Sequence, residues 1–218
     1  MSGRMKSGLE EKRNMKTNHE IDTVIFDIGG VLVDLGRFRF LEKKGFTGDL
    51  AHRVMYATMR SEDWVQLDLN NLSEEEILQL FIENDPQIED QIRHMFADVH
   101  GIVEPKAASL PWLQRVRASG RRIFFLSNYS HKIMRECADA LYFLPEMDGG
   151  LFSCDVHKVK PDPAFYKLLI EKYDLDPARC VFIDDLPANL EPAADLGIRT
   201  ILFQSQDQAE QDLDRILG

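Results

Sequence analysis

The sequence predicts an α/β fold: one parallel sheet with helices on both faces, and a small helical segment inserted after the first strand. Three observations point there. Short apolar runs that read as buried strands alternate with stretches of helical periodicity. Residues 35–104 break that alternation, with helical spacing and little strand signal. The strongest buried runs each end in a polar group, at Asp27, Ser127 and Asp184-Asp185. Strands alternating with helices imply a parallel, Rossmann-like sheet covered on both faces. In such sheets ligands bind beyond the carboxyl ends of the strands.

The elements follow in order. Residues 1–20 are polar and charged, lack a signal-type apolar stretch, and read as a disordered leader outside the fold. Val24-Ile25-Phe26 is the first strand, with a sharp exit at Asp27 and the pair Gly29-Gly30. In 35–104, apolar residues recur at helical spacing: Phe38, Phe40 and Leu41; Val54, Met55 and Met59; Ile77, Leu78 and Phe81; Ile92, Met95 and Phe96. Ser73-Glu74-Glu75-Glu76 has the form of a capping box. Residues 21–34 and 105–218 are the expected core. There, 106–119 reads as a helix ended by Gly120, 122–126 as a buried strand, 130–142 as a helix and 151–153 as a short strand. Residues 162–173 are helical, with Phe165, Leu168 and Leu169 on one face. Cys180–Ile183 is a strand, Ala188–Leu196 a helix closed by Gly197, Thr200–Phe203 a last strand, and the tail a helix.

Composition narrows the function. With 218 residues, 44% of them hydrophobic, the chain can bury a sizeable core. A net charge of −11 argues against nucleic acid or an anionic membrane as partner, since both need a basic face. A small phosphorylated substrate remains open, because local cations and a metal decide that. Cys137, Cys154 and Cys180 are odd in number and form no CxxC, so free thiols in a reducing cytoplasm are expected. No apolar stretch approaches the ~20 residues of a membrane span. Oligomeric state is not legible.

Asp27 follows three apolar residues and precedes two glycines, which let a ligand approach the backbone. It reads as a nucleophile, or equally as a turn cap. Ser127-Asn128 offers a hydroxyl, an amide and backbone N–H groups for phosphoryl oxygens; alone, a helix N-cap explains it better. Lys160, on the stiff corner before Pro161, reads as an ammonium that can neutralise phosphate and nucleophile, or as surface charge; Lys158 and His157 read as surface groups. Asp184-Asp185 is the strongest piece; either aspartate alone reads also as the N-cap of the next helix, but both together at a strand end are unusual. Adjacent carboxylates at a strand end repel each other, and a hard cation such as Mg2+ relieves that repulsion. Asn189 is placed to orient this loop or to bond a carboxylate.

These four segments, in this order, resemble the haloacid dehalogenase superfamily, in particular members with a helical cap after the first motif. The resemblance spans roughly residues 21–205. It implies Asp27 as nucleophile, Ser127 as phosphate-binding hydroxyl, Lys160 as charge-neutralising lysine and Asp184-Asp185 as the acidic metal motif. It also implies Mg2+ held by Asp27, the carbonyl of Gly29 and Asp185, with Asp184 as an outer or alternate ligand. Asn128 and Gly30 complete the implied substrate site, under a cap formed by 35–104. The run Phe182–Leu196 is similar to the phosphatase domain of soluble epoxide hydrolases. The Phe26–Leu32 start is more similar to a sugar-phosphatase branch. One position departs from the pattern: where most family phosphatases carry a second aspartate, this chain has Gly29. A general acid–base contributes about 10²–10⁴-fold in rate, so its loss costs about 3–5 kcal/mol of barrier. Asp34, near the expected hinge, is one stand-in.

The leading expectation is a Mg2+-dependent phosphomonoesterase acting on a small metabolite, a sugar phosphate among the candidates. A metal-free 2-haloacid dehalogenase and a non-catalytic phosphate-binding module are the alternatives. Arg37, Tyr56, Arg60 and Trp64 are candidate substrate contacts that serve equally well as cap surface or cap core.

Overall fold

Every residue of the first strand, β1 (Thr23–Phe26), is buried, as its apolar run requires. The computed structural model describes residues 20–218, so the expected leader lies outside them except for Glu20. After β1 come a two-residue strand β2 (Val33–Asp34) and five helices: α1 (Arg37–Lys43), α2 (Gly48–Ala57), α3 (Trp64–Leu69), α4 (Glu74–Asn84) and α5 (Glu89–Ala97). A second two-residue strand, β3 (Glu104–Pro105), closes the helical stretch. Then follow α6 (Ser109–Ala118), β4 (Arg122–Ser127), α7 (His131–Glu136), β5 (Gly149–Phe152) and α8 (Ser153–Val156). The chain ends with α9 (Pro163–Tyr173), β6 (Cys180–Asp184), α10 (Pro187–Asp195), β7 (Arg199–Leu202) and α11 (Gln206–Leu217).

The main sheet has the order β5-β4-β1-β6-β7 and is parallel throughout. The period-2 alternation of strand side chains sorts the core into two apolar layers. Val24, Phe26, Ile123, Phe125, Val181 and Ile183 face one layer with Trp112 of α6 and Leu213 of α11. Ile25, Phe124, Leu126 and Phe182 face the other with Phe165 and Leu169 of α9 and Ala193 of α10. Phe26 meets Trp112 edge-on at 4.9 Å between ring centroids. Helices therefore cover both faces.

The buried stripes of α1, α2, α4 and α5 join the first of these layers through Phe40, Leu41, Val54, Met55, Phe81, Ile92 and Met95. Ser73 caps α4 through the reciprocal capping box that the sequence suggests. Strands β2 and β3 pair antiparallel, Val33 with Pro105 and Asp34 with Glu104, and so bring the two ends of the helical stretch together. Two residues per strand are too few to give a periodic signal, so the sequence does not reveal them. Polar contacts tie the helical stretch to the sheet domain. Glu74 of α4 pairs with Lys132 at 3.1 Å and Arg135 at 2.9 Å, both on α7. The Ser153 hydroxyl donates to the Asp68 carbonyl at 2.7 Å. The ring of His157, an exposed surface residue as expected, lies 2.8 Å from the Leu69 carbonyl.

The helix expected over 130–142 is shorter. It stops at Glu136, and single 3-10 turns follow at Ala138–Leu141 and Leu144–Glu146. Fully buried Cys137 leaves helical geometry at φ −121°, ψ 36°, and its thiol donates to the Val99 carbonyl. Tertiary burial overrides the local helical pattern there. All three cysteines are free and buried. Among the described residues no helix is long and apolar enough to cross a membrane.

Candidate active site

The carboxyl ends of β1, β4 and β6 lie side by side because β1 pairs with both of the others. Phe26 is level with Phe125 and Ile183, so Asp27, Ser127 and Asp184 emerge at one edge. Residues 100 and 157 positions from Asp27 in the chain thus become its neighbours. Asp27 is 6% exposed, and Ser127 and Asp184 are fully buried.

Three donors converge on one oxygen of Asp27. Oδ1 accepts from the Ile28 N–H at 2.7 Å and the Ser127 hydroxyl at 2.7 Å, and it pairs with the Lys160 ammonium at 2.8 Å. Oδ2 accepts no hydrogen bond from a described residue. Burial pushes the Asp27 carboxyl up to about 6; Lys160 opposes that shift and Asp184 adds to it. Burial works against the charge of Lys160, but Asp27 and Asp184 overcome it and hold the ammonium above the usual lysine range. Lys160 is therefore a fixed cation.

The Asn128 side chain closes a two-point clamp on the lysine's backbone. Its Nδ2 donates to the Lys160 carbonyl at 3.0 Å, and its Oδ1 accepts the Lys160 N–H at 2.8 Å. Neither Ser127 nor Asn128 caps the following helix; Ser130 does, accepting from the Ile133 N–H.

The two carboxylates of Asp184-Asp185 differ. Asp184 Oδ1 accepts from the Leu186 N–H at 2.8 Å and from Asn189 Nδ2 at 3.0 Å. Its Oδ2 accepts from Lys160 at 2.7 Å and from Asn189 Nδ2 at 3.1 Å. These bonds occupy the Asp184 carboxylate. Asp185 is partly exposed and accepts no hydrogen bond from another described side chain; burial and then Asp184 hold its carboxyl above the usual range. Gly30 is what allows Asp185 to come so close. Its φ is +79°, and a Cβ there would lie 2.5 Å from Asp185 Oδ2. Asp27, Asp184 and Asp185 each offer an oxygen, all within 4.8 Å of one another. Hard oxygen donors in that arrangement suit Mg2+.

A cavity of about 250 Å³ opens over this cluster, lined by Asp27, Gly29, Lys160 and Asp185 below and by Arg37, Trp64 and Asp68 from the helical stretch. Of the four candidate contacts, Arg37 and Trp64 reach it. Tyr56 and Arg60 line a separate groove instead. Asp34 does not line the cavity; it is half-exposed and pairs with Lys106 at 3.4 Å. Two residues in the cavity wall carry no sequence signal. Asp68 is buried within an apolar helix, and Tyr129 has a buried hydroxyl with no hydrogen-bond partner.

The haloacid dehalogenase-like hydrolase family matches residues 21–197. The chain belongs to this family of hydrolases. The bifunctional epoxide hydrolase 2 of Sus scrofa is 39% identical over 74 residues, 34% of this chain and 13% of that protein. The flavin mononucleotide hydrolase 1 of Arabidopsis thaliana is 26% identical over 157 residues, 69% of this chain and 60% of that protein. The chain thus spans under two thirds of either relative. A HAD family enzyme of Bacteroides thetaiotaomicron, crystallised with magnesium and inorganic phosphate, superposes with a TM-score of 0.62 at 19% identity, covering 85% of this chain and 96% of that one. At that identity the likeness shows the fold, a HAD-type Rossmann-like sheet.

Proposed function

We propose that this HAD-type hydrolase is a Mg2+-dependent phosphomonoesterase acting on a small phosphorylated metabolite through an aspartyl-phosphate. One observation carries the reading: a buried carboxylate, Asp27, is held by a hydroxyl and an ammonium on one oxygen, beside Asp185, at the floor of a cavity. A dehalogenase needs no such set of three converging carboxylates. Two similar proteins support the phosphoryl reading, the flavin mononucleotide hydrolase and the enzyme crystallised with magnesium and phosphate.

In this account the Asp27 carboxylate attacks phosphorus and the bond to the leaving oxygen breaks. Ser127 and the Ile28 N–H fix the rotamer of Asp27. Lys160 neutralises the nucleophile and the phosphoryl oxygens. Asp27, Asp185 and the Gly29 carbonyl would hold Mg2+, while Asp184, its lone pairs already bonded, keeps Lys160 and Asn189 in place. Bound Mg2+ would supply positive charge against the phosphoryl oxygens. Gly30 gives close backbone approach, and Asn128 serves the phosphate site through its clamp on Lys160. Residues 35–104 act as the cap that excludes water.

The cavity volume lies below the usual range of roughly 300–1,000 Å³ for drug-sized ligands, which supports a compact substrate. Trp64, Ile102 and Val103 give it apolar walls, while Arg37 and Tyr129 offer hydrogen-bond donors. A sugar phosphate suits that mixture. The net charge and the buried free thiols support a cytoplasmic enzyme that does not bind nucleic acid. Asp27→Asn is expected to abolish turnover of p-nitrophenyl phosphate, and chelation of divalent metal to do the same reversibly. Full activity in either experiment contradicts the proposal.

A further inference from the structure

The missing second aspartate leaves a specific gap. At Gly29 no side chain stands over the leaving oxygen, although Gly29 lines the cavity. Space is not the reason, since a Cβ there would meet only Leu35, at 3.7 Å. The chain therefore lacks an acid at that position without being barred from one, and Asp34 points elsewhere.

Resting on the phosphatase reading, we propose that Asp68, carried by α3 of the cap, is the general acid and base of this enzyme. It lines the same cavity as Asp27 and Lys160. Its carboxyl accepts no hydrogen bond from a described residue, so nothing diverts it to a structural role. Its place is fixed from the sheet domain: the Ser153 hydroxyl holds the Asp68 carbonyl, and His157 holds the next one. A carboxylate that served only as cap surface would turn to water; this one is 9% exposed.

The charged and titratable groups around Asp68 are Arg37 on α1, Asp27 after β1, Lys160 before α9, Tyr129 after β4 and Cys154 on α8. Burial pushes the Asp68 carboxyl up to about 7; Arg37 opposes the shift, Asp27 adds to it and Lys160 opposes it. A carboxyl near that value exchanges its proton around neutral pH, as a group that serves first as acid and then as base requires.

The proton balance is complete. Asp27 attacks phosphorus, the electron pair of the P–O bond passes to the leaving oxygen, and the Asp68 O–H protonates that oxygen. An alcohol departs and Asp68 becomes a carboxylate. It then takes a proton from water as the water oxygen attacks the aspartyl-phosphate. The bond to Asp27 breaks with its pair returning to that carboxylate, inorganic phosphate leaves, and Asp68 is again protonated.

The test measures kcat/KM for Asp68→Asn and wild type over phosphomonoesters ranging from aryl to alkyl. That ratio reports the steps through alcohol release. Alkyl leaving groups need the proton and aryl oxides hardly do. The expected loss is about 10²–10⁴-fold for alkyl esters and far smaller for p-nitrophenyl phosphate, whose remaining turnover also shows that the variant is folded. Equal losses on both classes would mark Asp68 as a binding residue, and no loss would mark it as a bystander; either overturns the proposal. If the wild type hydrolyses no ester, the phosphatase reading itself fails and takes this inference with it.

Discussion

Two adjacent glycines in the first motif do different work. Gly30 has a left-handed φ and lies against the Asp185 carboxylate, where a Cβ would come within 2.5 Å. Gly29 has neither restraint, and its nearest neighbour to a Cβ is 3.7 Å away. Gly30→Ala should therefore push Asp185 aside, costing at least tenfold in Mg2+ affinity and about 1–3 kcal/mol of stability from the strained backbone. Gly29→Ala should change stability by less than about 1 kcal/mol. Calorimetric Mg2+ titration and thermal melts of the two variants check the contrast. Similar behaviour would mean that the approach of Asp185 to Gly30 is not needed for the site. At the same scale, the hydrogen bonds separate the two carboxylates of Asp184-Asp185, which the sequence leaves equivalent: four accepted bonds commit Asp184, while Asp185 accepts none from another described side chain.

At the scale of elements, the end of α3 is one of the places where residues 35–104 meet the sheet domain. Ser153, fully buried at the start of α8, donates to the Asp68 carbonyl and accepts the Tyr129 N–H at 2.9 Å. Ser153→Ala strands both backbone groups without a partner. The expected cost is about 1–3 kcal/mol, visible as a lower urea midpoint with an unchanged slope. An unchanged midpoint would show that water replaces the hydroxyl and that this contact does not hold residues 35–104 in place. Contacts of this kind explain what the sequence hides. Ser153 and Asp68 are 85 positions apart, and an aspartate between two leucines on a helix resembles any solvated acid until its docking partner is known. Asn128 is a similar case: its pattern suggests a phosphate ligand or a helix cap, and only the fold reveals the clamp on Lys160. The early end of α7 at Cys137 has the same origin, a buried thiol bonded across the structure to Val99.

Across the whole molecule, the legible parts are those written in local chemistry. Buried strands announce themselves as apolar runs, and a parallel sheet sends their carboxyl ends to one edge. Asp27, Ser127 and Asp184-Asp185 could thus be brought together from the sequence alone. The cavity above them could not, because it depends on how five short helices pack. The two levels are complementary: the sheet assembles charge around Asp27, and the helices from 35–104 supply a roof with Arg37, Trp64 and Asp68. On the proposed reading, a chain of net charge −11 would attract a phosphate ester through this local concentration of Lys160, Arg37 and a cation. The proposed function rests on Asp27 accepting the phosphoryl group. Rapid quenching during turnover of p-nitrophenyl phosphate with Mg2+, borohydride reduction and peptide mass spectrometry test that claim directly. Reduction of an aspartyl-phosphate converts the residue to homoserine, and the account predicts that conversion at position 27. Turnover with position 27 unmodified, or with homoserine at another aspartate, would contradict it.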